Sequence, residues 1–170
     1  MNKQISRMKA NGKLPVKLGW QGAYHRFEIT GGPFDAFAGF DAANDRAFGV
    51  CVRAERVPAG VDVHLPIHDF EVPYDKDQVE KALRSTLQAA LDGKQVYVGC
   101  MGGWGRTGLF LALLAKVCGE TVPVGYVRRH YSGRAVETEE QQEYVATFAV
   151  GALQHWLFWA AWNKRAFWWR

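Results

Sequence analysis

The sequence predicts an α/β fold in which a central, mostly parallel mixed sheet is flanked by helices. Two β-branched segments, residues 47–54 and 61–67, have the composition of strands and are separated by Pro58 and Gly60. A short apolar run at residues 96–98 is typical of a buried strand. Helical patterns alternate with these strands along the chain, and this alternation favours parallel pairing within one sheet.

The N-terminal part of the chain gives weaker signals. Residues 1–18 contain five lysines and arginines and no long apolar run, so we expect a basic arm there. The triplet Gly31-Gly32-Pro33 has the composition of a turn or loop. The length of 170 residues fits one domain, residues 1–170, with an aromatic and basic C-terminal extension at 151–170.

Helices are predicted in the second half of the chain. They are expected at residues 77–91, 106–117 and 121–131, and a last helix begins near residue 138. In the first of them apolar residues recur every four positions, and Gly93 follows where a C-terminal cap belongs. Thr138 and Gln141 have the spacing of a capping box, which predicts the start of the last helix.

Composition and charge narrow the classes of function. Hydrophobic residues make up 48% of the chain, which is ordinary for a folded protein. The net charge of +4 suits an anionic substrate but is too small to indicate nucleic acid, and we expect no nucleic-acid partner. The cysteines Cys51, Cys100 and Cys118 are irregularly spaced and odd in number, which argues against a disulfide framework. We therefore expect a cytoplasmic protein.

A glycine-rich segment between a predicted strand and a predicted helix carries the chemistry. Five residues separate Cys100 from Arg106, and three of them are glycine. Glycines let backbone N–H groups turn inward as an anion nest, and the helix N-terminus adds its positive end. This field favours the thiolate of Cys100, the Arg106 guanidinium can hold two phosphate oxygens, and the Thr107 hydroxyl can donate to the sulfur. The predicted phosphate-binding residues are Met101, Gly102, Gly103, Trp104, Gly105 and Arg106.

At Cys100, Arg106, Thr107 and Gly108 the chain resembles the protein tyrosine and dual-specificity phosphatases, most closely the small dual-specificity type. That signature is a cysteine, five residues, an arginine and a serine or threonine, between a strand and a helix. The resemblance implies a phosphatase-like fold and covers roughly residues 47–149. Two further segments resemble the same family in order and spacing. Residues 64–69 are similar to the segment that carries its general acid, with Asp69 placed 31 residues before Cys100. Gln141 is similar to the glutamine that helps to position the hydrolytic water.

The resemblance implies a protein phosphatase with no metal or other cofactor. Cys100 attacks phosphorus and forms a phosphocysteine, while Asp69 first protonates the leaving oxygen and then activates water. Met101 and Trp104 add no charge to the loop, which favours a mono-phosphorylated substrate such as phosphotyrosine, stacked on Trp104. Phosphoserine and phosphothreonine remain open as substrates. The family usually has a histidine where this chain has Gly99, which implies weakened activation of the thiol rather than a dead site.

Two other functions remain open. The glycine at position 99 leaves room for a phosphate-binding pseudophosphatase or adaptor that holds a phosphorylated partner. The basic arm leaves room for a related phosphatase acting on RNA 5′ ends, nucleotides or inositol phosphates. Asp62, Asp75 and Asp77 are rivals of Asp69 for the role of general acid, although we expect Asp75 or Asp77 to cap the next helix. Helix capping alone is the alternative role for Gln141.

Other side chains have plainer interpretations. His64 and His68 suggest no third ligand, so we expect packing or rim histidines and no metal site. We expect Arg128, Arg129 and Arg134 to be solvated helix charges, with a place at the rim of the pocket as the alternative. Residues 144–162 are almost entirely apolar and are followed by tryptophans and basic residues. We expect them to pack on their own domain or on a twin subunit, with peripheral membrane contact as the alternative.

Overall fold

A five-stranded mixed sheet forms the centre of the computed structural model, which describes residues 12–20 and 23–167. The strands are β1 Gly12–Trp20, β2 Ala23–Pro33, β3 Ala47–Cys51, β4 Val63–His64 and β5 Gln95–Cys100. Their spatial order is β1-β2-β5-β3-β4. β1 is antiparallel to β2, whereas β2 with β5, β5 with β3 and β3 with β4 are parallel pairs. The predicted mostly parallel mixed sheet is confirmed.

Helices flank the sheet. In the described residues they are α1 Phe37–Ala42, α2 Lys76–Leu91, α3 Gly105–Val117, α4 Pro123–His130, α5 Glu139–Thr147 and α6 Gly151–Phe167, with a 3-10 turn at Phe34–Ala36. α3 is the central helix, and all of its residues except Lys116 are buried. Successive side chains of β5 point to opposite faces. Val96 and Val98 join the main core, whereas Tyr97 joins a second cluster with Phe34 and Phe37.

Part of the expected basic arm is a strand. Residues 12–18 belong to β1, which pairs along its length with β2. Leu14 and Val16 are buried, whereas Lys13 and Lys17 are exposed, so this segment has the alternation of a half-buried strand. The prediction overlooked this alternation because the lysines dominate the composition. Residues 1–11 of the expected arm lie outside the described residues.

The expected turn at Gly31-Gly32-Pro33 is wrong. These residues form the end of β2 and pair in parallel with Val98, Gly99 and Cys100. A Cβ atom on Gly31 would lie 2.6 Å from the Tyr131 ring. The glycine is therefore explained by the close approach of an aromatic ring, not by the reversal of the chain.

The residues predicted to cap the ends of helices do so in the structure. Asp75 caps α2, because its carboxylate accepts from the N–H groups of Asp77 and Gln78. Gly93 has a φ of 75° just after that helix, as its capping position predicted. The capping box of Thr138 and Gln141 is present at the start of α5. The predicted strands 47–54 and 61–67 are shorter in the structure than expected.

The single last helix expected from residue 138 is two helices. α5 ends at Thr147, and Phe148 is extended before α6 begins. The Lys116 ammonium donates to the carbonyl oxygens of Val145, Ala146 and Phe148, which satisfies groups left without partners at the end of α5. Among the helices of residues 34–167, none is long and apolar enough to cross a bilayer.

Candidate active site

The predicted phosphate loop connects the end of β5 to the start of α3. Cys100 is buried at the last position of β5, and its Sγ accepts a hydrogen bond from the Gly103 backbone N–H at 3.2 Å. Gly103 has a φ of 83°, a conformation that glycine adopts without strain. A Cβ atom on Gly105 would lie 2.5 Å from Glu137 Oε2, so the loop passes close to the segment before α5. The loop thus holds the sulfur beside backbone donors at a helix N-terminus.

Arg106 enters the site from the first turn of α3 and is only 2% exposed. Its Nη1 donates to both carboxylate oxygens of Glu55 at 2.7 Å and to the Ile67 carbonyl at 3.0 Å. Its Nη2 lies 3.1 Å from Asp69 Oδ1. Its Nε is buried and has no hydrogen-bond partner among the described residues. Part of the guanidinium is thus anchored by the protein, while one buried donor is unused.

Asp69, which the family resemblance implied as the general acid, lies beside Arg106. Its side chain is 55% exposed and pairs with Arg106. The next residue, Phe70, has a φ of 63°, which is a strained conformation for a bulky side chain. The Thr138 hydroxyl donates to the Phe70 carbonyl at 3.4 Å. The N-terminus of α5 therefore stabilises the segment that presents the carboxylate.

Gln141 is fully buried, and its amide ties two segments together. Its Oε1 accepts from the Glu137 N–H at 3.0 Å, and its Nε2 donates to the Glu71 carbonyl at 3.1 Å. The capping alternative is thus present, and it extends to the segment that carries Asp69. The placement of a water by Gln141 stays a prediction.

Thr107 does not make the expected contact with the sulfur. Its Oγ1 is buried and has no hydrogen-bond partner among the described residues. The donor to Cys100 Sγ is instead the Gly103 N–H. Thr107 still lies in the first turn of α3, so its hydroxyl is a second unused donor near the loop.

The side chains of the loop face different surroundings. The Arg134 guanidinium carbon lies 4.1 Å from the centroid of the Trp104 ring, so Trp104 is stacked on an arginine and does not present that face to a substrate. Arg134 therefore lies at the rim of the site, which agrees with the alternative prediction for this residue and not with a solvated charge on a helix. Met101 is exposed, and its sulfur lies 3.9 Å from Nη1 of the buried Arg53.

Gly99 is packed against the backbone of β2 and the following turn. A Cβ atom there would lie 2.8 Å from both N and Cα of Phe34 and 2.9 Å from the Gly32 carbonyl oxygen. Backbone atoms cannot move aside as a flexible side chain can. A histidine at position 99 would therefore require the backbone of β2 or of the following turn to shift, which gives a physical reason for the departure from the usual motif.

Three residues that lie near the phosphate loop were not predicted from the sequence. Glu55 anchors Arg106, Arg53 contacts Met101, and the Tyr131 hydroxyl donates to the Gly103 carbonyl at 2.6 Å. Arg53 and Glu55 follow β3, whose carboxyl end lies beside that of β5, and this shared edge was a usable signal. No sequence signal pointed to Tyr131.

The charged groups of the site influence one another. Partial burial acts to raise the pKa of Glu55, but a backbone hydrogen bond and the pairing with Arg106 hold that pKa below its ordinary value. Burial raises the pKa of Tyr131, so its hydroxyl stays protonated and keeps its bond to Gly103. In the described ranges no three His, Cys, Asp or Glu side chains cluster as a metal site would require. His64 instead contacts the Arg53 carbonyl.

Comparisons with known proteins agree with this arrangement. The model of the PTP-SAK family, described as "Swiss Army Knife protein, DSP-PTPase phosphatase domain", matches residues 55–154. The matched range is more than half of the chain and contains the whole predicted site. The protein therefore belongs to this family of dual-specificity phosphatase domains.

Relatives and solved structures extend the likeness. Two uncharacterized proteins of Methanocaldococcus jannaschii are similar to this chain. MJECL20 is 39% identical over 88 residues, which are 51% of this chain and 58% of that protein. MJ0215 is 38% identical over 95 residues, which are 55% of this chain and 56% of that protein. The chain thus spans a little over half the length of these curated relatives. Tk-PTP in its active form has a TM-score of 0.57 and 28% identity, over 75% of this chain and 90% of that one. Kinase associated phosphatase with its catalytic cysteine replaced by serine has a TM-score of 0.62 at 18% identity, over 82% and 94%, which shows the fold alone.

Proposed function

We propose that this protein is a cysteine-dependent protein phosphatase that hydrolyses phosphotyrosine through a phosphocysteine intermediate. The observation that carries the proposal is the buried Nε of Arg106, which has no partner among the described residues. A buried donor without an acceptor is costly, and an oxygen of a phosphate group beside Cys100 would satisfy it. Membership of the family and the likeness to Tk-PTP support the same reaction.

In the first step the Cys100 thiolate attacks phosphorus. The S–P bond forms, the bond from phosphorus to the ester oxygen breaks, and its electron pair stays on that oxygen. Asp69, in its acid form, gives a proton to the same oxygen. The ion pair of Asp69 with Arg106 must open before Asp69 can give this proton. The Asp69 side chain can move away from Arg106, because it is more than half exposed. Arg106 then holds the oxygens of the phosphoryl group.

In the second step water attacks the phosphocysteine. An O–P bond forms, the S–P bond breaks, and the electron pair returns to Cys100 as the thiolate. Asp69, now a carboxylate, takes the proton from the water. The Gly103 N–H, which already donates to the sulfur, stabilises the departing thiolate. Gln141 contributes by holding the Asp69 segment on α5.

The surroundings of Asp69 favour an aromatic phosphate ester. Phe70 and Tyr74 are exposed, and they lie on the same segment as Asp69. They offer aromatic surface for the tyrosine ring, in place of the Trp104 face that Arg134 covers. Cys51, Cys100 and Cys118 are all free thiols, which supports a reaction in the reducing cytoplasm.

The test is hydrolysis of p-nitrophenyl phosphate and phenyl phosphate by the full chain. Cys100→Ser should abolish turnover of both. Asp69→Asn should lower kcat by about 100- to 10,000-fold, as loss of a general acid does. The loss should be larger with phenyl phosphate, because its leaving oxygen is more basic and needs the proton more. Asp77→Asn, which changes an exposed carboxylate in the first turn of α2, is the matched control.

Two outcomes would overturn the proposal. A wild-type protein that binds vanadate but turns over neither ester would be a phosphate-binding adaptor. A protein that hydrolyses RNA 5′ phosphates or inositol phosphates and leaves phosphopeptides intact would be a related phosphatase that does not act on proteins.

A further inference from the structure

The Tyr131 ring lies in a notch formed by two glycines of the sheet. Gly12 of β1 and Gly31 of β2 are directly paired, so two facing positions on one side of the sheet carry no side chain. A Cβ atom on Gly31 would lie 2.6 Å from the Tyr131 ring, and one on Gly12 would lie 3.2 Å from it. Tyr131 is only 9% exposed. Because the interior around it is close-packed, the ring cannot swing away from this notch.

The notch directs the Tyr131 hydroxyl to the phosphate loop. The backbone of Tyr131 is held at the end of α4, where its N–H donates to the Val127 carbonyl at 2.9 Å. Its hydroxyl donates to the Gly103 carbonyl at 2.6 Å, in a buried hydrogen bond. Gly103 is also the residue whose N–H donates to Cys100 Sγ. Both backbone polar groups of Gly103 are therefore engaged, one by the cysteine and the other by Tyr131.

A loop of this composition needs such a restraint. Gly102, Gly103 and Gly105 have no Cβ atom, so the backbone of the loop can rotate into many conformations. In a trans peptide group the C=O and the N–H point in opposite directions. A hydrogen bond that holds the Gly103 carbonyl on one side of the loop therefore directs the next N–H, that of Trp104, to the other side. Donation to the carbonyl also polarises this peptide group and strengthens its N–H as a donor.

We propose that Tyr131 is a positioning residue of the phosphate site: its hydroxyl holds the Gly103 carbonyl on the side of the loop away from Cys100, so that the N–H groups of Gly103 and Trp104 face the bound anion. The inference rests on the proposed function and goes beyond it, because it assigns part of the anion binding to a residue outside the loop. The ligand is a tetrahedral oxyanion, phosphate or its analogue vanadate. A tyrosine that only filled the notch would contribute to folding and not to anion binding.

The experiment compares two tyrosine variants of the full chain. Tyr131→Phe removes the hydroxyl and keeps the ring, and the Kd of vanadate measured by calorimetry should rise by about 3- to 10-fold, the effect of one net hydrogen bond. The kcat/KM for p-nitrophenyl phosphate should fall by at least the same factor, because the donors act on charge that develops in the transition state. Tyr126→Phe is the matched control, because its hydroxyl donates to the Pro15 carbonyl at 2.7 Å and joins α4 to β1. That variant should keep the wild-type values of both quantities.

Two further measurements separate positioning from packing. In amide NMR spectra, vanadate should shift the signals of Gly103 and Trp104 in wild type and in Tyr126→Phe, and should shift them less in Tyr131→Phe. Gly31→Ala would place a methyl group 2.6 Å from the Tyr131 ring and 3.1 Å from its hydroxyl oxygen, so it should displace the hydroxyl and weaken vanadate binding as well. Gly39→Ala is its control, because a Cβ atom there meets nothing within 4 Å.

The outcomes separate the two proposals. Binding of vanadate by Tyr131→Phe with the wild-type Kd overturns the positioning role, and so does an equal loss of binding in Tyr126→Phe, which would indicate a general loosening of the fold. Failure of wild type to hydrolyse p-nitrophenyl phosphate overturns the proposed function instead. In that case the vanadate Kd values of the two tyrosine variants still decide the role of Tyr131 by the same comparison. A wild-type protein that does not bind vanadate would overturn both proposals.

Discussion

Two loops at the same edge of the sheet each bury an arginine, and they use it in opposite ways. The loop after β5 leads to Arg106, which is 2% exposed and pairs with the partly exposed carboxylates of Glu55 and Asp69. The loop after β3 contains Arg53, which is 1% exposed. Arg53 donates to the Arg56 carbonyl and to Asp35 and makes a long contact with Met101.

From this difference we infer that Arg106 serves the proposed chemistry and that Arg53 serves the shape of the loop. Arg106 retains a buried Nε without a partner among the described residues, so part of its hydrogen-bonding capacity is available to a ligand. Arg53 donates to the Arg56 carbonyl of its own loop and to Asp35 of the 3-10 turn, so it ties the loop after β3 to that turn. Substitutions can separate these roles, because one should affect turnover and the other stability.

The largest effect is expected for Arg106→Lys. A lysine keeps the positive charge beside Glu55 and Asp69 but cannot hold two phosphate oxygens with a planar fork. We expect kcat/KM for p-nitrophenyl phosphate to fall by about 100- to 1000-fold, the loss typical of a removed oxyanion donor. The unfolding midpoint in urea should change little. Arg129→Lys is the control, and a loss of stability without a loss of turnover would contradict the division of roles.

Arg53→Gln should act mainly on stability. We expect the free energy of unfolding to fall by about 2–3 kcal/mol, from the loss of hydrogen bonds made by a charged donor. The cost stays below the roughly 3–5 kcal/mol of a broken, fully buried pair, because Asp35 is 50% exposed and can be hydrated. Urea denaturation measures it. Arg56→Gln keeps the backbone carbonyl that accepts from Arg53 and should be near neutral; an equal loss in both variants would refute the assignment.

Gly99→Ala tests the packing beneath the phosphate loop. The added methyl group would lie 2.8 Å from backbone atoms of Phe34, so we expect about 1–3 kcal/mol of destabilisation from overpacking. Gly39→Ala is the matched control, because a Cβ there meets nothing within 4 Å. Thermal unfolding of both variants gives the comparison. Similar midpoints would contradict the prediction and show that the backbone of β2 can move to accept the methyl group.

The smallest effect is expected for Glu55→Gln and depends on pH. The lowered pKa of Glu55 means that its ionised form stabilises the folded protein. That contribution is fully present above the ordinary value of 4.5 and is lost as pH falls through the lowered folded-state pKa. Below pH 4.5 the melting temperature of wild type should therefore fall more steeply than that of Glu55→Gln. The difference should be small because Glu55 is 39% exposed. Glu80→Gln is the control, and parallel curves would contradict the pairing.

Features encoded by neighbouring residues were predictable from the sequence. The spacing of Cys100 and Arg106, the caps at Asp75 and Thr138, and Gly93 all depend on residues a few positions apart. The place of Asp69 followed from a family resemblance and agrees with its pairing to Arg106. The parallel sheet followed from the alternation of strands and helices.

Features that depend on distant segments were not predictable. The Tyr131 ring explains why Gly31 is a glycine inside a strand, yet the two residues lie on different elements. The anchoring of Arg106 by Glu55 arises only once β3 and β5 are side by side. The stack of Arg134 on Trp104 likewise depends on how the segment after α4 packs against α3.

The contact of Gly99 with the backbone of Phe34 has a consequence for protein engineering. The contiguous segment from β5 through α3 contains the whole phosphate loop, which suggests that it could be grafted into another scaffold. Because Gly32 and Phe34 close over Gly99 from the neighbouring strand, the smallest transferable unit also includes the end of β2 and the turn that follows it. A graft of the contiguous segment alone would leave Gly99 without the backbone of Gly32 and Phe34 that packs against it.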